Sequence, residues 1–191
     1  MKQQIENILR QSASLKQAML EDARILETIE AIVMDCIALF ENKGQLLFGG
    51  NGGSAADAQH LAAEFSGRFY KDRAPLNAEA LHVNTSYVTA IGNDYSFEEI
   101  YARIIEAKGR TGDIFFAIST SGNSENILRA IGKAKEIGMK VVGLTGSSGG
   151  KMKSSCDHII CVPSDDTPRI QEAHIVVGHI ICQLVEDRLF S

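Results

Sequence analysis

Five apolar runs of strand length recur along this 191-residue chain, and segments of helical character separate them. The runs are Gln45 to Phe48, Glu79 to Val83, Asp113 to Ser119, Lys140 to Thr145 and His158 to Val162. Helical stretches lie near Ser54 to Arg68, Phe97 to Lys108, Ser124 to Ile137 and Thr167 to Leu189. Strands that alternate with helices pair mostly in parallel, because each crossover helix returns the chain to the end where the next strand starts. Such sheets are covered on both faces, which suits continuous apolar runs. The expected fold is therefore α/β, a doubly wound, five-stranded, mostly parallel sheet with helices on both faces. Two helices precede the first strand. The second is marked by Ile25, Ile29, Ile32, Val33, Cys36, Ile37 and Phe40 at steps of three and four, and Lys43-Gly44 ends it.

The length fits one domain, and 45% apolar against 23% charged residues is enough to bury a full core. Nineteen Lys and Arg against 24 Asp and Glu give a net charge of −5, which argues against a sequence-independent grip on nucleic acid. An anionic ligand must then be held by local groups. Cys36, Cys156, Cys161 and Cys182 lack CxxC spacing and read as buried thiols in a reducing compartment. Met1 to Glu6 places charge where a signal peptide has its apolar core. The longest apolar run, Ile175 to Val185, contains His179 and Gln183 and falls short of the roughly 20 residues of a membrane span. A cytoplasmic protein with no membrane or nucleic-acid partner is expected. The last helix is apolar around most of its circumference, so it is either an oligomer interface or a buried intrachain helix.

Ligands of such sheets bind beyond the carboxyl ends of the strands. After the first strand comes Gly49-Gly50-Asn51-Gly52-Gly53-Ser54-Ala55, a turn whose glycines let backbone N–H groups approach a ligand. Gly50, Gly52 and Ala55 fit the dinucleotide fingerprint, but the next strand ends at Asn84 without the carboxylate that would bind a ribose. After the third strand, Ser119-Thr120-Ser121-Gly122-Asn123-Ser124 sets four hydroxyls before a helix, and these with the helix dipole make a phosphate cradle that needs no Lys or Arg. One N-cap explains Ser124 alone. The stretch Gly146 to Lys151 has the wrong spacing for a nucleoside-triphosphate loop, and Met152 stands where Ser or Thr is required.

His60 and Glu64 lie four apart on one helical face, either as an ordinary surface pair or as half of a metal or acid/base site. Gln171 and His179 lie on the last helix, and His174 is turned roughly 140° away from His179 by helical geometry. Two histidines, a glutamate and a glutamine oxygen form a mixed donor set acceptable to zinc.

Read together, Gly-Asn-Gly-Gly-Ser (50 to 54), Asp-Ala-Gln-His (57 to 60), Gly-Asn-Asp (92 to 94), Ser-Thr-Ser-Gly-Asn-Ser (119 to 124) and Arg-Ile-Gln-Glu-Ala-His (169 to 174) occur in order. This set resembles the sugar isomerase (SIS) family, and within it the bacterial phosphoheptose isomerases, over nearly the whole length. The resemblance implies a flavodoxin-like three-layer SIS domain over residues 1–191, with residues 1–43 packing on the core and at an oligomer interface. It implies a cytosolic homotetramer that converts sedoheptulose 7-phosphate to D-glycero-D-manno-heptose 7-phosphate through an enediol, the first step toward ADP- or GDP-heptose for lipopolysaccharide or related glycans. One zinc ion per subunit is implied, with His60, Glu64, Gln171 and His179 as ligands and Glu64 and His179 as the acid/base pair. The phosphate is assigned to Ser119, Thr120, Ser121 and Ser124, and the sugar to Asn51, Gly52, Gly53, Glu64, Asn93, Asp94 and Gln171, with Arg68 and Thr167 lining the site. Some members carry an acidic residue directly before Arg-Ile-Gln, where this chain has Pro168, with Asp165 and Asp166 earlier. The rival readings are a non-enzymatic SIS protein that binds the replication initiator, and an isomerase of another sugar phosphate.

Overall fold

The computed structural model describes residues 1–190. Helices α1 (Lys2–Glu21) and α2 (Ala23–Glu41) lead into β1 (Leu46–Gly50) and α3 (Gly53–Ser66). Then follow β2 (Ala78–Ala80), α4 (Thr85–Asp94), α5 (Ile100–Lys108), β3 (Ile114–Ile118), α6 (Glu125–Ile137), β4 (Lys140–Thr145), β5 (His158–Cys161) and α7 (Thr167–Leu189). The strands form one sheet in the order β2-β1-β3-β4-β5, and every pairing is parallel. The doubly wound α/β architecture is thus present.

Alternate side chains of each strand point to opposite faces. Leu46, Phe48, Ile114, Phe116, Ile118, Val142 and Leu144 join the core with α2, α3 and α7. Leu47, Phe115, Ala117 and Val141 join a second core with α5 and α6. Phe48 ties sheet to helix: its ring centroid is 5.0 Å from Phe116 and 6.2 Å from Phe65 of α3. The Asp22 carboxylate accepts the Arg24 N–H at 3.0 Å and so caps α2.

Several details differ from the sequence reading. Helix α4 went unread because none of its residues is buried, so it has no apolar stripe. The second strand is shorter than Glu79 to Val83, pairing at the sheet edge over three residues with only Ala80 buried. The stretch Phe97 to Lys108 is split into a 3₁₀ turn at Phe97–Glu99 and α5. Cys36 and Cys182 are buried, whereas Cys156 and Cys161, beside and at the end of edge strand β5, are half-buried; all four are free thiols. Helix α7 is buried within the chain along Val177, Ile181 and Val185 and leaves Ile180 and Leu184 exposed. No described helix is long and apolar enough to cross a membrane.

The strand order places the topological switch between β1 and β3, because α3 leaves toward one face and α6 toward the other. The Gly-rich turn and the Ser/Thr loop are the segments that diverge there.

Candidate active site

The β1–α3 turn is tight because α3 starts directly beneath α7. Gly52 has φ 55°, a conformation that disfavours any other residue. A Cβ at Gly53 would collide with the Gln171 amide of α7. Asn51 in the same turn exchanges two hydrogen bonds with Asn126 of α6, at 2.9 and 2.8 Å, so its amide is engaged at both ends. Asn126 is 2% exposed; sequence reading missed it, although its place on the buried stripe of α6 beside Ile127 and Ala130 was the available signal.

In the loop after β3 the hydroxyls converge. Ser119 Oγ lies 2.9 Å from Ser124 Oγ and 3.5 Å from Ser121 Oγ, and Ser121 Oγ accepts the Asn123 N–H at 3.1 Å. Ser124 is the N-cap of α6 but makes no capping hydrogen bond. Glu125 in the first turn of α6 pairs with Arg129 at 3.3 Å. Gly122 at φ 65° lets the loop pass against the next one, where a Cβ would strike the Gly149 carbonyl. Thr120, Ser121 and Asn123 line a depression of about 280 Å³ together with Ser147, Asp165 and Thr167. Pro168, the departure noted above, sits in the first turn of α7, where a missing N–H costs no helical bond.

His60 and Glu64 of α3 meet His179 of α7. His60 Nε2 is 2.9 Å from Glu64 Oε1 and 3.3 Å from His179 Nε2. One donor atom from each residue lies within 4.8 Å of the others, a His/Glu/His group of the kind that holds a metal ion. Burial lowers the His179 pKa, as does the neighbouring His60, while Glu64 opposes them. His174 faces elsewhere: it is fully buried, sits 3.2 Å from the Thr145 carbonyl, and has its pKa lowered by burial to about 4.

The structure does not bring every expected residue to this group. Gln171 is eight residues from His179, a rise of about 12 Å along α7, and its amide rests against Gly53. Asn93 and Asp94 end α4 and bond to each other at 2.9 Å, with no hydrogen bond to the cluster among the described residues. Arg68 lies just beyond α3 and is exposed.

The fold and these loops define an α/β protein with a hydroxyl-rich loop and a Gly-rich turn diverging from the switch point, and with a His/Glu/His group of metal-competent donors where α3 meets α7. The SIS domain model matches residues 7–146, and the chain belongs to the SIS domain family. It is similar to phosphoheptose isomerase of Aneurinibacillus thermoaerophilus, 52% identical over 97% of this chain and 94% of that relative. The phosphoheptose isomerase of Clostridium acetobutylicum is 51% identical over all of this chain and 97% of its own length. Solved phosphoheptose isomerases from Neisseria gonorrhoeae and Francisella tularensis superpose with TM-scores of 0.91 and 0.92, at 38% and 34% identity. Each match covers 97% of this chain, with 98% and 97% of the solved chains covered.

Proposed function

We infer that the chain is an aldose-ketose isomerase that converts sedoheptulose 7-phosphate to D-glycero-D-manno-heptose 7-phosphate. The observation that carries this reading is the His60–Glu64–His179 group, in a chain that matches phosphoheptose isomerases end to end. A purely binding SIS protein has no need of such a group, which weighs against the reading as a partner of the replication initiator.

Aldose and ketose differ by hydrogens on adjacent carbon and oxygen atoms, so one base spanning both carbons suffices. Glu64 takes the proton from one carbon and returns it to the next through an enediol. Its Oε1 faces His60, whereas Oε2 makes no hydrogen bond among the described residues and is the oxygen that accepts the proton. His179 is assigned to move the proton between the two substrate oxygens. Each such transfer contributes about 10²- to 10⁴-fold in rate. The phosphate docks at Ser119, Thr120, Ser121 and Ser124, where hydroxyls and the N-terminus of α6 compensate its charge. Asn51, Gly52 and Gly53 border the sugar, and Asn93 and Asp94 are assigned to its far hydroxyls.

The donor set of two imidazoles and a carboxylate fits zinc, so His60, Glu64 and His179 would hold one Zn²⁺ per subunit. When bound, it supplies Lewis acidity for the negative charge that develops on the substrate carbonyl oxygen. Gln171 of the same chain is two helical turns from His179, with its amide against Gly53.

The chain acts in this reading as one domain and assembles as a homotetramer. An apolar groove of α2 and α7, lined by Leu26, Val33, Met34, Ile37, Ile180 and Leu184, supports self-association. The enzyme is placed in the cytoplasm, at the first step of heptose supply for lipopolysaccharide or related glycans. Incubating purified protein with sedoheptulose 7-phosphate, with and without a chelator, tests the function. Formation of the aldoheptose phosphate, slowed by chelation, is expected, and no conversion with any divalent metal would overturn it.

A further inference from the structure

Residues 67–77, between α3 and β2, form no regular element, yet one carboxylate gathers them. Glu186 of α7 is 1% exposed and accepts the backbone N–H groups of Phe69, Tyr70 and Lys71 at 3.1, 2.7 and 2.9 Å. It also accepts Arg73 Nε at 2.9 Å, and the Arg73 side chain is 3% exposed. The guanidinium then donates to the carbonyls of Glu64 and Phe65 at 2.8 Å each, and to those of Gly67 and Ala74 at 3.3 and 3.1 Å. The first two belong to the last turn of α3, whose carbonyls have no partner within the helix.

Both arms of this network end on the His/Glu/His group. One holds the carbonyl of Glu64 itself. The other fixes the backbone of Phe69, whose ring centroid is 5.5 Å from that of His179. Burial alone would push the Glu186 carboxyl up, but the three N–H groups and Arg73 outweigh it and hold the pKa below the ordinary value, so the pair stays charged. A buried ion pair is weak ground for stability, because desolvation offsets much of its attraction. What a fully bonded pair supplies is geometry, and this one joins the carboxyl end of α3 to α7 beside both reacting side chains.

We propose that Arg73 and Glu186 are positioning residues for the Glu64/His179 pair, locking the last turn of α3 to α7 and seating Phe69 against the His179 ring. This rests on the isomerase reading for Glu64 and His179. It does not rest on turnover alone, since the arrangement of the donor group is measurable without substrate.

The test compares Arg73→Lys and Glu186→Gln with the parent in isomerisation kinetics, in Co²⁺ titration followed by visible spectrum, and in thermal melting. Lysine lacks the fork that reaches several carbonyls, and glutamine lacks the charge. The expected result is a kcat lower by about tenfold or more and a Co²⁺ dissociation constant higher by a similar factor, with an altered spectrum, as for supporting residues around metal sites generally. KM changes little, because the phosphate loop lies outside the network. Lys71→Ala, which removes only the side-chain contacts to Asp187 and the Phe190 carbonyl, keeps parent values. Phe69→Leu leaves the ion pair whole and is expected to alter the Co²⁺ spectrum, which decides the matter if the ion-pair variants do not fold. Variants that melt earlier but match the parent in kcat and Co²⁺ binding below their melting temperature would overturn the proposal. So would an unchanged spectrum in Phe69→Leu. A parent that binds Co²⁺ but converts no sugar phosphate overturns the isomerase reading alone, and the spectra then decide the positioning role.

Discussion

Gly178 of α7 lies so close to Leu61 of α3 that an added Cβ would overlap the Leu61 side chain. Each is the sequence neighbour of a cluster histidine, His179 and His60, so this contact sets how near the two imidazoles come. Leu61 is 1% exposed and has little room to yield. Gly178→Ala is expected to cost about 1–3 kcal/mol by overpacking. The melting temperature should fall by about 2–4 °C for each kcal/mol in a chain of this size. Metal affinity should weaken with it, because the helices are forced apart beside the donors. Thermal melting and a metal titration check this, and a variant matching the parent in both would show that the close approach is not required.

The Ser/Thr loop makes a different prediction. Ser121 is exposed in the loop that faces the polar depression, whereas Ser119 is nearly buried and braces Ser124. Under the proposed function Ser121→Ala would remove a hydroxyl assigned to the substrate phosphate, and a hydrogen bond to a charged group is worth about 1.5–3 kcal/mol. KM for the sugar phosphate is expected to rise by roughly tenfold or more, with kcat within about threefold, since the phosphate is bound alike in ground and transition states. A fall in kcat at unchanged KM contradicts this assignment.

His174 gives the fold a pH dependence separate from the active site. Its pKa falls from 6.5 to about 4 on burial, so between those values the unfolded chain binds a proton that the fold refuses. Stability from the neutral imidazole is present above pH 6.5 and is lost as pH falls through this window, by roughly 3 kcal/mol at about 1.4 kcal/mol per pH unit. His174→Gln keeps a donor toward the Thr145 carbonyl and removes the titration. Denaturant unfolding at several pH values from 7 to 4.5 should show a flatter slope in the variant, and parallel slopes contradict the argument.

The sheet was readable in the sequence because central parallel strands are buried on both faces and appear as unbroken apolar runs such as Ile114 to Ile118. Helix α4 was not, since Thr85 to Asp94 buries nothing and leaves no periodic stripe. The His60–Glu64 pair was visible as an i,i+4 step, but the approach of His179, 119 residues later, depends on tertiary packing that spacing does not encode. Resemblance supplied that link. It also assigned Gln171 to the same metal set, yet helical rise along α7 separates Gln171 from His179 within one chain. Glu186 went unread although Gly178, Cys182 and Glu186 follow one another at four-residue steps on a buried face, where a carboxylate must have a partner. Arg73, 113 residues earlier, could be matched to it only once the fold was known.

The central claim is that Glu64 carries a proton between adjacent carbons of the substrate. The most direct measurement follows sedoheptulose 7-phosphate in D₂O by proton NMR with the parent protein and with Glu64→Gln. The parent is expected to give aldoheptose phosphate, with deuterium entering its second carbon to the extent that protonated Glu64 exchanges with solvent before returning the proton, and Glu64→Gln, in the same oligomeric state, neither product nor exchange. Turnover at the parent rate by Glu64→Gln would contradict the account.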